Sequence, residues 1–145
     1  MPLNIVLADD DPDYHDLFRH VLNETGHEST LVSIENGEEL LFYLGENQTS
    51  LPGIIFLDIN MPRKNGKECL REMRSHHSLL QIPVVMFSAS NYHRDIDETH
   101  DLGANLYVTK LVFFNDPVKI LREILTIDWK DYFPRPPKEK YLVKQ

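Results

Sequence analysis

Apolar runs end abruptly in polar residues at several points along this chain of 145 residues. Five such runs have the length of a buried strand and lie at residues 4–9, 29–34, 53–58, 84–88 and 105–109. Between them, apolar residues recur at helical spacing. Strands that alternate with helices are typical of βαβ units. The pattern therefore predicts an α/β domain with five βα units and a parallel sheet.

Capping residues mark the ends of the predicted helices. Asp11 and Pro12 supply the N-cap and first residue of the first helix, and Thr25-Gly26 ends it. The fourth helix, residues 92–102, is unusually polar, and its main apolar residues are Ile96 and Leu102. The last helix begins at Asn115-Asp116-Pro117. We expect a helix with so few apolar residues to pack weakly. A weakly packed helix can shift its position, so it suits an output surface whose contacts change.

Polar side chains stand where four of the predicted strands end. Asp9-Asp10-Asp11 closes the first strand and Asp58 closes the third, whereas Ser88 and Lys110 follow the apolar residues of the fourth and fifth. The carboxyl ends of neighbouring parallel strands share one crevice. We therefore expect these groups, although far apart in sequence, to meet within a few ångströms.

Length and charge divide the chain into two parts. We predict one folded domain over residues 1–127 and a Pro-rich, aromatic tail over residues 128–145. The formal net charge is −8 in total, and the tail carries five basic side chains against three acidic ones. The domain is therefore strongly acidic. An acidic surface repels a phosphate backbone, so we expect no direct binding to nucleic acid.

The sequence predicts a cytoplasmic protein that does not interact with membranes. It shows no basic and apolar leader and no apolar stretch long enough to cross a bilayer. Cys69 is the single cysteine, which excludes an internal disulfide and fits a reducing compartment.

The ordered set of polar groups resembles the receiver domain of two-component response regulators, over residues 4–126. Within that family, the loop at residues 61–66 and the segment 90–96 look most like single-domain regulators paired with bacteriophytochrome-type histidine kinases. The resemblance implies a doubly wound (βα)5 flavodoxin-like sheet with strand order 2-1-3-4-5. The residues that carry it are Asp9-Asp10, Asp58, Gly66, Ser88-Ala89, Gly103-Ala104, Tyr107 and Lys110.

The resemblance also implies a role for each site residue. Asp58 would be the nucleophile that accepts a phosphoryl group, while Ser88 and Lys110 would contact the phosphoryl oxygens. Ser88 and Tyr107 would form the conformational switch. The charge on a transferring phosphoryl group must be neutralised, and Mg²⁺ takes oxygen ligands for this purpose. The implied Mg²⁺ ligands are Asp9 through water, Asp10, Asp58 and the backbone carbonyl of Asn60.

The expected function is that of a stand-alone, phosphorylation-switched signalling domain rather than an enzyme. The phosphoryl donor would be a sensor histidine kinase or a phosphotransfer protein, with self-phosphorylation from small donors and autodephosphorylation also expected. Without an attached output domain, the protein would signal through altered protein contacts. A homodimer through the fourth helix, fifth strand, last helix and tail is one expected form of such contacts.

Two alternatives belong to different functional classes. The first is a flavodoxin-like aspartyl-phosphate phosphatase, which needs a second acid two residues after the nucleophile. Asn60 stands at that position and cannot protonate a leaving group. The second is a receiver-like interaction module that works without phosphorylation, which a phosphorylation assay distinguishes from the first interpretation.

The tail leaves two structural alternatives open. Its aromatic residues could anchor a partner or second subunit, or they could fold back over the core of their own domain. We expect the dimer contact. The aromatic residues concerned are Trp129, Tyr132, Phe133 and Tyr141.

The residue after Lys110 departs from the family, which usually has a proline there with a cis bond before it. A cis bond costs roughly 2.5–4 kcal/mol before a residue other than proline, against roughly 0.5–1 kcal/mol before proline. We therefore predict a trans bond between Lys110 and Leu111. The loop over residues 111–115 should then take a different path, with Lys110 still able to reach the site through its flexible stem.

Overall fold

A five-stranded parallel sheet forms the centre of the computed structural model, which describes residues 2–144. The strands lie in the order β2-β1-β3-β4-β5. This order confirms the predicted doubly wound sheet. The predicted limits of β1, β3 and β5 differ from the observed ones by a single residue. The strands are β1 (Leu3–Ala8), β2 (Ser29–Ile34), β3 (Ile54–Leu57), β4 (Val84–Ser88) and β5 (Leu106–Thr109).

Helices cover both faces of the sheet. They are α1 (Pro12–Thr25), α2 (Gly37–Glu46), α3 (Gly66–Ser75), α4 (His93–Asp101), α5 (Lys110–Asn115), α6 (Pro117–Leu125) and α7 (Lys138–Tyr141), with short 3₁₀ helices at His77–Leu79 and Trp129–Tyr132. The predicted caps of α1 are confirmed. The Asp11 side chain accepts a hydrogen bond from Asp13 N, and Gly26 ends the helix with a φ of 72°.

Strand residues alternate between two apolar cores. In β1, Ile5 and Leu7 face the core that α1 and α6 cover, whereas Val6 and Ala8 face the core beneath α2 and α3. All four side chains are fully buried. Strands buried on both faces lose the usual apolar and polar alternation, which explains the continuous apolar runs in the sequence.

The segment after Lys110 differs from the predicted loop, because it forms the short helix α5. Among residues 2–144 the only cis peptide bond precedes Pro134, so the predicted trans bond between Lys110 and Leu111 is confirmed. Without a proline at position 111, the backbone can turn helical directly after β5. Thr109 caps this turn by accepting a hydrogen bond from Val112 N at 3.2 Å, and Phe113 anchors it in the core.

Helix α4 buries polar rather than apolar side chains. Ile96 and Leu102, its predicted anchors, are only partly buried, whereas Asp95, Thr99 and His100 are buried. The tail supplies partners for two of these groups. Thr99 Oγ1 lies 2.6 Å from Tyr141 Oη, and His100 Nε2 lies 2.7 Å from the carbonyl oxygen of Pro136.

The tail folds back over its own domain, which is the alternative to the dimer contact that we expected. Leu142 pairs with Tyr107 in a parallel bridge, and Val143 N donates to Tyr107 O at 2.8 Å. Tyr141 is 1% exposed, and its ring lies edge-on to that of Tyr107 with centroids 6.0 Å apart. The tail therefore covers β5 and α4 within a single chain. Association of two chains stays a prediction.

None of the helices formed by residues 2–144 has the length and apolar character needed to cross a membrane.

Replacing Tyr141 by alanine should lower the free energy of unfolding by about 3 kcal/mol or more, because a fully buried aromatic side chain is lost. Replacement by phenylalanine should cost about 1 kcal/mol through the lost contact with Thr99. Urea denaturation measures both changes. The matched control is Tyr92→Ala, since Tyr92 is 68% exposed, and its expected change is within about 0.5 kcal/mol. Equal effects at Tyr92 and Tyr141 would contradict the docked position of the tail.

Candidate functional site

The polar groups predicted to meet do so at the carboxyl edge of the sheet. Asp9 follows β1, Asp58 follows β3, Ser88 ends β4 and Lys110 follows β5. All four residues are buried, although each carries a polar or charged side chain. The parallel topology explains the convergence, because it points every strand toward the same crevice.

Three carboxylates of this edge form one cluster. Asp9, Asp10 and Asp58 each offer an oxygen, and these oxygens all lie within 4.8 Å of one another. Asp9 and Asp58 are buried and Asp10 is exposed. A compact set of carboxylate oxygens with one open side fits a hard divalent cation such as Mg²⁺, which keeps several waters when it binds. The donor set therefore fits the implied cation.

Asn60 is the remaining implied metal ligand. It lies two residues beyond Asp58 and is exposed. Its role as a ligand stays a prediction. The loop that carries it is held by Gly66, whose N–H donates to Ile59 O at 2.7 Å. A Cβ atom at Gly66 would lie 2.2 Å from the carbonyl oxygen of Asp58, so only glycine permits this close approach of α3.

Lys110 places its ammonium between two of the carboxylates. Nζ lies 2.7 Å from Asp9 Oδ2 and 3.3 Å from Asp58 Oδ2. Burial lowers the pKa of Lys110, but the carboxylates of Asp9 and Asp58 outweigh this effect and raise the pKa above its ordinary value. The ammonium is therefore charged at neutral pH.

Asp58 is electrostatically disfavoured in its ionised form. Burial is the main cause that raises its pKa above the ordinary value of 3.8, and the neighbouring charge of Asp9 adds to it. The ammonium of Lys110 opposes both effects but does not cancel them. A further cation beside Asp58 would favour the carboxylate, which is the form that can act as a nucleophile.

Hydrogen bonds connect Ser88 to the predicted switch residue Tyr107. Ser88 Oγ accepts from Ser90 N at 3.2 Å, and Tyr107 Oη donates to Ser90 O at 2.8 Å. The ring of Tyr107 is fully buried, and burial raises the pKa of its hydroxyl. Ser88 and Tyr107 thus share one backbone segment. Their action as a switch stays a prediction.

Two parts of the site were missed in the sequence. Lys67 Nζ lies 2.6 Å from Asp95 Oδ1, and the same carboxylate accepts a hydrogen bond from Ser90 Oγ, so α3 and α4 are tied to the strand end. The ring of Tyr14 lies over the Lys110 ammonium, with 3.8 Å from Nζ to the ring centroid. Neither contact has a signal in the sequence, because each joins residues from separate elements without a fixed spacing.

Comparison with known proteins identifies the family. The model of the response regulator receiver domain matches residues 5–124 of the chain. The chain belongs to the response regulator receiver family. This receiver domain is 31% identical to response regulator Rcp1 of Synechocystis over 127 residues, which cover 85% of this chain and 86% of Rcp1. It is 27% identical to the polar-differentiation response regulator DivK of Brucella anthropi, across 88% of this chain and 94% of DivK.

Solved structures of phytochrome response regulators share the receiver fold. The phosphorylated cyanobacterial phytochrome response regulator RcpA superposes with a TM-score of 0.77 at 32% identity, covering 86% of this chain and 91% of RcpA. The Mn²⁺-bound form of Rcp1 gives a TM-score of 0.76 at 28% identity, covering 94% of this chain and 100% of Rcp1. The bacteriophytochrome response regulator RtBRR gives 0.74 at 30% identity, covering 95% and 86% of the two chains. The receiver domain is thus related to phytochrome-associated regulators.

Replacing Asp58 by asparagine should stabilise the receiver domain at about pH 7 in the absence of metal ions. The folded-state pKa of Asp58 lies above the unfolded value, so folding disfavours the ionised form. This penalty is absent below the unfolded pKa, grows as the pH rises above it, and is complete once the pH exceeds the folded pKa. The gain of the variant should therefore shrink as the pH is lowered toward 3.8.

Urea denaturation in a chelating buffer at several pH values measures this gain. Asp97→Asn is the matched control, because Asp97 is exposed on α4, and its effect should stay within about 0.5 kcal/mol. An Asp58→Asn variant less stable than the wild type at neutral pH would show that the ion pair with Lys110 outweighs burial.

Proposed function

We propose that this receiver domain accepts a phosphoryl group on Asp58 from a sensor histidine kinase or a phosphotransfer protein, in a reaction that depends on Mg²⁺. The observation that carries the proposal is the placement of one buried carboxylate among two acidic neighbours and one ammonium at the sheet edge. Phosphoryl transfer is catalysed mainly by positioning and charge neutralisation, and this edge offers the groups for both.

Each side chain then has a defined task in the transfer. An oxygen of the Asp58 carboxylate attacks phosphorus, the bond from phosphorus to the donor breaks, and its electron pair leaves with the donor. The ammonium of Lys110, 3.3 Å from Asp58 Oδ2, is close enough to neutralise a phosphoryl oxygen. The Ser88 hydroxyl donates a hydrogen bond to a second phosphoryl oxygen. Bound Mg²⁺ would neutralise further charge, with Asp10 and Asp58 as direct ligands, Asp9 through water and the Asn60 carbonyl completing the set.

Two relatives support this proposal. RcpA is known in a phosphorylated form, and Rcp1 is known with bound Mn²⁺, a divalent cation that takes similar oxygen ligands. In this chain, the oxygens of Asp9, Asp10 and Asp58 are close enough for the same kind of ion. The phosphatase alternative lacks such support, because Asn60 replaces the second acid that its chemistry needs.

The signal would leave the domain through altered protein contacts, consistent with a phosphoacceptor that is not itself an enzyme. Tyr107 connects the site to the surface, since its hydroxyl bonds to Ser90 and its backbone pairs with the tail. We place the response in α4, β5, α6 and the tail, and a homodimer through these elements is one form that it could take. We further expect a cytoplasmic location and no direct contact with nucleic acid or membranes.

Incubation with Mg²⁺ and a small phosphodonor such as acetyl phosphate should add one phosphoryl mass to the protein, and peptide mapping should locate it at Asp58. Asp58→Asn should lose the label completely, since the amide that replaces the carboxylate cannot act as the nucleophile. Omission of Mg²⁺ should also suppress labelling. Asp97→Asn is the control and should label like the wild type.

Intact-protein mass spectrometry distinguishes the alternatives. Persistent stoichiometric labelling of Asp58→Asn would contradict the assignment of the phosphoacceptor. Complete absence of labelling in the wild type, from small donors and from phosphorylated histidine donors alike, would favour the interaction module that works without phosphorylation.

A further inference from the structure

We propose that Tyr14 is a positioning residue that holds the ammonium of Lys110 against the carboxylates of Asp58 and Asp9. The inference rests on the proposed phosphoacceptor function and names a further residue for it. Nζ of Lys110 lies 3.8 Å from the centroid of the Tyr14 ring, on which it rests as a cation on an aromatic face. The same atom lies 2.7 Å from Asp9 Oδ2 and 3.3 Å from Asp58 Oδ2.

Lys110 needs such a contact because its side chain is flexible. A lysine ammonium is a point charge on a four-carbon stem, so its position must be fixed by its surroundings. Here the backbone of Lys110 also begins the helix α5 directly after β5. The carboxylates attract the ammonium from one side, and the face of Tyr14 attracts it from another.

The ring of Tyr14 is itself fixed by aromatic neighbours. It stacks on Phe114 with centroids 5.8 Å apart and an interplanar angle of 28°, and it meets the edge of Phe87 at 6.5 Å. Phe114 belongs to α5, the helix that begins at Lys110. Phe113, the residue before it, is buried and stacks on Phe18 of α1 at 5.9 Å. The packing of α1 against α5 thus fixes the position of the Tyr14 ring relative to Lys110.

The geometry leaves access to the site open. Tyr14, Lys110 and Phe114 line a pocket at the surface together with Ala89 and Leu111, and Leu111 is almost fully exposed. Among residues 2–144, no hydrogen bond forms to the Tyr14 hydroxyl, and the aromatic face is the part of Tyr14 that contacts Lys110. Phenylalanine at position 14 should therefore preserve the contact with Lys110, whereas an aliphatic side chain should lose it.

A double-mutant cycle on beryllofluoride affinity tests the inference. Beryllofluoride with Mg²⁺ imitates a phosphoryl group on a carboxylate, and ¹⁹F NMR measures its binding at equilibrium without turnover. The variants are Tyr14→Leu, Tyr14→Phe, Lys110→Met and the Tyr14→Leu/Lys110→Met pair. With Lys110 present, Tyr14→Leu should weaken binding about fivefold, and Tyr14→Phe should change it less than about twofold. In the Lys110→Met background, Tyr14→Leu should have no effect.

Each outcome of the cycle decides one question. An equal loss in both backgrounds, or a loss in Tyr14→Phe as large as in Tyr14→Leu, would overturn the positioning role of Tyr14. If Tyr14→Leu fails to fold, Tyr14→Met takes its place, since methionine fills the space without an aromatic face and the same results are expected. Failure of the wild type to bind beryllofluoride would count against the proposed function instead.

Discussion

Charge is unevenly balanced at the carboxyl edge of the sheet, where the proposed chemistry takes place. Three carboxylates stand together there, and the ammonium of Lys110 balances only part of their charge. Burial is the main cause that raises the pKa of Asp58, and the negative charge of Asp9 adds to it. A site with this excess of negative charge favours the binding of a further cation, which in turn can attract an anionic phosphoryl group. The proposed chemistry of Asp58 follows from that need.

The fold holds the charges together from both faces of the sheet. Gly66 lets α3 approach the backbone of Asp58 on one face, and the cluster of aromatic rings around Phe87 supports the lysine on the other. The tail contacts α4 and β5 rather than the charged groups of the site. Tyr141 bonds to Thr99 on the buried polar side of α4 and packs against Tyr107, so the end of the chain helps to hold a helix that has few apolar anchors. The site and the covered surface thus meet at Tyr107.

The sequence was sufficient to predict what depends on local patterns. Apolar runs located the strands, and polar residues at their ends located Asp9, Asp58, Ser88 and Lys110, because parallel topology brings strand ends together. It was insufficient where the structure depends on contacts between distant elements. The helical turn after Lys110, the aromatic face of Tyr14 and the docking of Tyr141 arise from packing, which has no periodic signal. For the tail, composition allowed both alternatives, and complementarity with α4 and β5 decided between them.

Calorimetric titration with Mg²⁺ measures whether the carboxylate cluster at this edge binds one further cation. The wild type should bind a single ion, and Asp10→Asn should bind it at least about tenfold more weakly, because a direct anionic ligand is lost. The exposed Asp97→Asn should bind as the wild type does. Unchanged affinity in Asp10→Asn, or a wild type that binds no Mg²⁺, would show that the cluster of Asp9, Asp10 and Asp58 is not a magnesium site.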